Sequence, residues 1–357
     1  MNVLVIGNFY ADGFATHIAG TFERMGHSIR RYKVGVTGHG GNSGVLGKYW
    51  RKAKSRLHDL GAEISSIRNW QRNSFWEMLG ETEVDFTVVT HDAFFWPEEI
   101  GRIQSLTRGR VVLWFPDHIG NLSRGYCVTA PYDGLFFKDP FIVEQLQDLC
   151  LGRVYYLPQC FDPVRQKLPS SVPDEGMAAY RCEVATAGTL HSYRVGLFRQ
   201  LEEYDVKLWG SPSPRWMDPG PVKKMFENQY VVYEEKAKAF RGAKVVVNNQ
   251  HPGEVWGVNK RTFEAAGIGG FQLVTWRPGL EQLFSVGEEL VAYRGISDLK
   301  DKIDYYLERD EERTEIAKRA RERALRDHTY EQRLSLMMDT IFGDEDGHPH
   351  PEGLRFG

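Results

Sequence analysis

Apolar runs without a helical period recur along this chain, and each ends in a polar or glycine-containing stretch. NVLVIG (2–7), EVDFTVVT (83–90), RVVLWF (110–115), YDGLFF (132–137) and VYYL (154–157) have the length and β-branched or aromatic content of strands buried on both faces. After the first run, a polar loop leads to a helix near 15–25 that stops at Gly26, and 27–32 reads as the next strand. Residues 158–169 read as a linker. The alternation restarts with CEVATAG (182–188), a helix near 195–204, DVKLWG (205–210) and a helix at 233–241. Strands alternating with helices predict α/β architecture with parallel sheets. Residues 298–342 carry Lys, Arg, Glu and Leu at helical spacing and predict two or more helices with an exposed face. The expected division is a first domain at 1–160, a second at 161–335 whose last helix packs back on the first, and a flexible tail at 343–357.

Residues 243–284 read as strand, loop, helix, strand, helix, and they look like a ligand site. The β-branched run 244–247 ends in Asn248 and Asn249, and a loop with Pro252 and Gly253 leads to a short helix near 259–266. Such a helix N-terminus attracts anions, because unpaired amide hydrogens and the positive end of the dipole face outward there. Lys260 and Arg261 fall in the first turn, where cations oppose the dipole, so their presence points to a bound polyanion such as a diphosphate. Glu264 lies one turn on, on the face of Arg261, where a carboxylate accepts two hydroxyls of a ribose. On spacing alone, Arg261 and Glu264 also fit an ion pair on a solvated helix. The loop GTLHSYR (188–194) follows the first strand of the second unit, a place for phosphate held by backbone amides, with Gly188 at its start and Arg194 as its cation.

In the first half the loop GNFYADG (7–13) lacks the G-x-G-x-x-G fingerprint, yet it lies at the carboxyl end of a strand and brings Asp12 near His17. Two successive strands end in a His and an Asp: His91 and Asp92, then Asp117 and His118. At that edge they would act as a base or orient an acceptor or sugar hydroxyl; loop capping is the plainer alternative. Residues 35–47 hold six glycines and precede the basic run 48–57, but the Walker spacing fails. The stretch is either a loop that closes over a second substrate or a plain connection.

Composition narrows the field. The 357 residues are 41% hydrophobic and 26% charged with a net charge of -3, so no global basic field calls for nucleic acid or an acidic membrane. Cys127, Cys150, Cys160 and Cys182 show no C-x-x-C spacing, and buried thiols are expected rather than zinc ligands or disulfides. No run approaches the ~18 apolar residues of a membrane helix, and the opening residues lack a signal-peptide pattern, so a cytoplasmic protein is expected. The acidic string 344–346 lies in the tail, without the fixed scaffold a divalent ion needs.

VVLWFPD, YDGLFFKDP, VYYLPQCFDP, AGTLHSYR, NKRTFEAAGIGGFQLVT and the terminal HTYEQR together resemble the GT-B glycosyltransferases, and within them the CgeB-like group named after a spore maturation protein. The recurring residues are Asn259, Arg261, Phe263, Glu264, Gly269, Gly270, Phe271, His328, Thr329, Tyr330 and Arg333. The resemblance implies two Rossmann-like doubly wound domains facing across a cleft, with the donor held mainly by the second. It puts Glu264 on the ribose and Arg194, Lys260 and Arg261 on the diphosphate. Related retaining transferases carry two glutamates with seven residues between them; here nine separate Glu254 from Glu264. Asp117 or His118 falls where those relatives keep a histidine near the donor sugar. The implied activity is metal-independent transfer from a nucleoside-diphosphate sugar, with no prosthetic group, to an acceptor that is a glycan, a peptide, a lipid-linked intermediate or a small molecule. The alternatives are a sugar-nucleotide epimerase of the same fold and a non-catalytic protein that binds nucleotide sugars or glycans.

Overall fold

The computed structural model describes residues 1–34, 65–122, 125–168 and 174–343. The glycine-rich stretch 35–47, the basic run 48–57 and the acidic string 344–346 lie outside the described residues. The first six strands are β1 (Asn2–Gly7), β2 (Ser28–Lys33), β3 (Phe86–Val89), β4 (Arg110–Phe115), β5 (Gly134–Phe137) and β6 (Arg153–Tyr156). They form one parallel sheet in the order β2-β1-β3-β4-β5-β6. The next five are β7 (Cys182–Ala187), β8 (Val206–Trp209), β9 (Ala243–Asn248), β10 (Gln272–Thr275) and β11 (Val291–Tyr293). They form a second parallel sheet in the order β11-β10-β9-β7-β8.

The helices of the first half are α1 (Phe14–Arg24), α2 (Ser65–Gln71), α3 (Asn73–Gly80), α4 (Pro97–Thr107) and α5 (Pro140–Leu146). Those of the second are α6 (Asp174–Ala178), α7 (Ser192–Phe198), α8 (Val222–Met225), α9 (Tyr233–Gly242), α10 (Lys260–Ile268), α11 (Ile296–Leu307), α12 (Asp310–Asp327) and α13 (Tyr330–Phe342). Two expected helices come out shorter. The one near 195–204 is α7 followed by a 3-10 turn at Arg199–Leu201, and the one closing 243–284 is only a 3-10 turn at Pro278–Leu280. Of the cysteines, Cys150 is half-buried and the other three are buried; all four are free thiols.

Period-two side-chain alternation splits the first core between the faces of its sheet. Leu4, Ile6, Leu113, Phe115 and Phe137 meet Ile100 and Ile103 of α4 on one side. Val3, Val5, Val88 and Trp114 meet Ile18 and Phe22 of α1 on the other, together with Tyr330, Leu334, Met337 and Ile341 of α13. Those four recur at helical spacing, so the last helix lays one apolar stripe on the first sheet. The chain thus crosses between the sheets twice, and the crossings meet: Phe161 N–H donates to His328 O (3.1 Å) and Tyr330 N–H to Phe161 O (3.2 Å).

Strand order reverses between β1 and β3 in the first sheet and between β7 and β9 in the second. At such switch points adjoining loops leave in opposite directions and open a crevice at the carboxyl edge, where ligands of doubly wound sheets bind. The loops that flank these crevices carry most of the candidate residues; Asp117 and His118 follow β4, one strand further along.

Candidate functional site

The N-terminus of α10 is built by asparagines. Asn259 caps it, accepting from Thr262 N–H (3.3 Å), and donates through Nδ2 to Asn248 Oδ1 (3.0 Å) at the end of β9. The other end closes on Gly269 at φ 86°, where Gly270 N–H returns to Ala265 O at 2.9 Å. These bonds fix the faces of α10, so Arg261 and Glu264 project from a rigid element.

Arg261 reaches across the switch point to β7. Its Nε donates to Ala187 O (2.8 Å) and its Nη1 to Asn248 Oδ1 (3.2 Å). Arg194, buried on α7, donates from Nε to Asn249 Oδ1 (3.0 Å) and from Nη1 to Thr189 O (2.5 Å). Both guanidinium groups converge over Gly188, where an added Cβ would stand 2.6 Å from Arg261 Nη2 and 3.1 Å from Arg194 Nη1. Gly188 holds φ 133°, a backbone position closed to most side chains. Among the described residues neither arginine has a carboxylate partner. Burial lowers Arg194 from its ordinary value; burial and then Arg194 itself lower Arg261 to about 9. Arg194 is buried and Arg261 half-buried, and neutral acceptors hold the two cations side by side, an arrangement suited to an anion.

Lys260 does not join them. Its ammonium lies between Glu264 Oε1 (3.0 Å) and Asp12 Oδ1 (3.3 Å), whereas the sequence reading placed it on the diphosphate. Glu264 also accepts from Gln166 Nε2 (2.7 Å) and pairs with Lys236 (3.1 Å). Burial raises Glu264, but Lys236 and then Lys260 outweigh it and hold the carboxyl below its ordinary value. It is a carboxylate at neutral pH.

Beyond Arg194 a row of imidazoles leads to the first half. His118 and His251 stack at 3.8 Å with an interplanar angle of 7°, and Tyr193 meets His251 edge-on at 4.9 Å. Each histidine Nδ1 accepts a backbone N–H, from Gly120 (3.1 Å) and Gly253 (3.0 Å) respectively. The hydrogen of each neutral ring therefore sits on Nε2. Burial lowers both rings from their ordinary value. Next in the row, Glu254 pairs with Lys138 at 2.5 Å, both fully buried, while Glu254 Oε2 is buried without a hydrogen-bond donor. Asp139 binds the same loop, accepting from Val255 N–H (2.9 Å) and Trp256 N–H (3.2 Å). The carboxyl end of β5 thereby clamps residues 254–256 of the second half.

The remaining sequence candidates lie at the carboxyl edge of the first sheet. His91 Nδ1 accepts from Ala93 N–H (3.1 Å), so this ring too presents Nε2–H. Asp92 is fully buried, its Oδ1 3.3 Å from His91 Nδ1, and burial raises its carboxyl above the ordinary value. Asp117 is half-buried beside His118. Sequence reasoning missed His251, Lys138, Lys236 and Gln166. The first lies within 243–284 as the lone imidazole of its loop. Lys138 lies within the quoted YDGLFFKDP, and Lys236 and Gln166 sit on segments that carried no motif. Among the described residues no group of three His, Cys, Asp or Glu side chains is placed to hold a metal ion, and no helix is long and apolar enough to cross a membrane.

Residues 194–339 match the model of a family described as glycosyl transferase-like. No curated protein matches the sequence. Among solved structures the chain is similar to HepE from Anabaena in complex with UDP (TM-score 0.61, 12% identity, 96% of this chain and 100% of that one). It is similar to a sucrose-phosphate synthase from Thermosynechococcus elongatus (TM-score 0.65, 10% identity, 97% and 99%). WaaG, a glycosyltransferase of lipopolysaccharide biosynthesis, is a third (TM-score 0.55, 14% identity, 96% and 100%). The chain has the GT-B fold of two Rossmann-like sheets, and the match over residues 194–339 supports a glycosyltransferase.

Proposed function

We propose that this chain is a CgeB-like glycosyltransferase that moves a sugar from a nucleoside-diphosphate sugar to an acceptor without a divalent metal. The observation that carries this reading is the pair Arg194 and Arg261, converging over Gly188 with no carboxylate ion-pair partner among the described residues and with the anionic Glu264 nearby. A diphosphate on the two guanidiniums and a ribose on Glu264 match the spacing of charge along α10. The donor sugar then extends along the imidazole row toward Glu254 and Lys138. Anabaena HepE, which shares the fold, has been solved with UDP and with UDP-glucose, which favours a uridine nucleotide.

In this reading the bond between the anomeric carbon and the diphosphate breaks, and Arg194 and Arg261 take up the charge on the leaving oxygen. Preorganised donors in a water-poor site are the strongest means of doing so. His118 and His251 present Nε2–H and act as hydrogen-bond donors toward the sugar or leaving group, because their lone pairs are already engaged. The acceptor enters from the first-sheet edge bearing His91, Asp92 and Asp117. Residues 1–160 serve as the acceptor side and 161–335 as the donor side.

A thermal-shift panel of nucleoside diphosphates, followed by donor hydrolysis with and without EDTA, tests the proposal. Ligand at 100 times Kd stabilises by ~2.7 kcal/mol, so a donor-site nucleotide gives a clear shift. One nucleoside diphosphate is expected to stand out, with its sugar hydrolysed slowly at an EDTA-independent rate. Binding without turnover of any donor would leave a nucleotide-sugar-binding protein, and a free converted sugar would make it an epimerase.

A further inference from the structure

A second polar cluster lies between the two halves, beside the donor site. Asp12, in the loop after β1, holds φ 60°, a left-handed backbone position uncommon outside glycine. Its buried carboxylate accepts from His17 Nε2 (2.8 Å), Gln166 Nε2 (2.7 Å) and Lys260 Nζ (3.3 Å), and it pairs with Lys236. His17 is held from its other side, with Nδ1 3.0 Å from Asp162 Oδ2.

Gln166 is fixed at both ends of its amide. Its Oε1 accepts from Asp162 N–H (3.0 Å), which forces Nε2 to face the carboxylates of Asp12 and Glu264, each at 2.7 Å. Lys236 and Lys260 bridge the same two carboxylates. Every group that neutralises Glu264 therefore also holds Asp12. These bonds to Glu264 fall on Oε1. Asp12 comes from the first sheet, Gln166 from the linker and Lys236 from α9, so the orientation of Glu264 is set by three segments outside α10.

We propose that Asp12 and Gln166 are positioning residues for the donor site: Gln166 bonds Oε1 of Glu264, Asp12 anchors the Gln166, Lys236 and Lys260 groups that meet this oxygen, and Oε2 is thereby turned toward the vicinal hydroxyls of a ribonucleoside. Ribose recognition then depends on the β1 loop being seated against the second half. The inference rests on the donor reading above and adds what that reading lacks, a reason why one carboxylate oxygen is left to distinguish ribose from deoxyribose. A buried carboxylate with a single oriented acceptor favours two adjacent hydroxyls over one.

Calorimetric titration of the full chain with UDP, 2′-deoxy-UDP and pyrophosphate tests it; if the panel above favours another base, that diphosphate and its deoxy form replace the uridine pair. The wild-type chain is expected to prefer the ribonucleotide by about 10- to 100-fold, the equivalent of one charge-assisted hydrogen bond. Asp12→Asn tolerates the left-handed backbone and removes the charge; Gln166→Met keeps the volume and removes the amide. Each is expected to cut the ribose preference at least fivefold while pyrophosphate affinity stays at the wild-type value. A folded Asp12→Asn or Gln166→Met chain that keeps the full preference overturns the positioning role. A wild-type chain that binds both nucleotides equally, or a Glu264→Gln variant that retains the preference, removes the ribose assignment itself and the inference with it.

Discussion

Replacing Arg194 by Met removes one of the two cations over Gly188 and keeps most of the aliphatic volume inside α7. Two unit charges about 4 Å apart interact by roughly 4 kcal/mol at an effective dielectric of about 20, and a charged hydrogen bond contributes about 1.5–3 kcal/mol net. Arg261 remains, and water refills part of the site, so the lower range applies: about 2–3 kcal/mol, or a loss of roughly 30- to 150-fold in Kd for a nucleoside diphosphate. The bare nucleoside, which reaches Glu264 but not Gly188, should lose less than about threefold by the same arithmetic. Titrations with UDP, uridine and pyrophosphate on the same protein read all three terms. Because Arg194 is buried, salt between 50 and 300 mM should change the ratio little, to within about twofold. Equal losses for UDP and uridine would refute the phosphate role, since they would mean that the substitution has disturbed the pocket as a whole. The unliganded melting temperature separates that case: Thr189 O and Asn249 Oδ1 lose their donor, and a collapse there would show as a lower melting point before any ligand is added.

Two further changes probe the frame. His328 donates from Nε2 to Leu283 O (2.8 Å) and accepts at Nδ1 from Arg333 Nη2 (2.7 Å); burial and then Arg333 lower it to about 3. The unfolded chain takes up this proton first, so stability present above pH ~6.5 is lost as pH falls toward 3, by up to about 1.4 kcal/mol per unit. His328→Gln keeps one donor and one acceptor and should flatten the fall between pH 6.5 and 5 in urea titrations; an unchanged slope would exclude His328 as its source. Gly267→Ala places a methyl 2.3 Å from the Phe161 ring at the crossing between the sheets. Overpacking of about 1–3 kcal/mol outweighs a helix gain of about 1 kcal/mol, so the unfolding free energy should drop; a more stable variant would mean that Phe161 has room to turn.

How legible the site was depended on whether a signal was local. The buried strands were readable because a strand buried on both faces must be apolar, as residues 111–115 are in β4, whereas Val291–Tyr293 is too short to carry a pattern. The N-cap at Asn259 and the stop at Gly269 are likewise written within a few residues of the helix they bound. The partners of Glu264 were not readable. Gln166 is 98 residues away and Asp12 meets Lys260 across 248, and no periodicity links such positions. Lys138 and Asp139 reach the 254–256 loop across 116 residues in the same way. Long-range polar pairs form because the fold brings distant segments together, which is a property of topology and not of spacing.

The two cations in the first turn of α10 show how topology changes the chemistry that a local pattern implies. Read along the helix, Lys260 and Arg261 are equivalent charges opposing the dipole, and both call for an anion. In the fold they meet different partners. Lys260 is compensated from within the protein by Glu264 and by Asp12 of the first sheet, so it supports the carboxylate beside it. Arg261 meets neutral acceptors and a second arginine, and among the described residues it has no ion-pair partner, although the charge of Glu264 offsets part of its cost. In the proposed function one helix turn therefore serves two ends of a nucleotide: a neutralised carboxylate suited to hydroxyls, and beside it a cation suited to phosphate. Exchanging the roles by charge alone would not work. Arg261→Glu would place a third carboxylate near Glu264 and leave Arg194 to hold both, closing the anion site with an internal ion pair. That variant should bind neither pyrophosphate nor UDP yet keep its fold, whereas retained pyrophosphate binding in calorimetry would mean that the anion sits elsewhere than over Gly188.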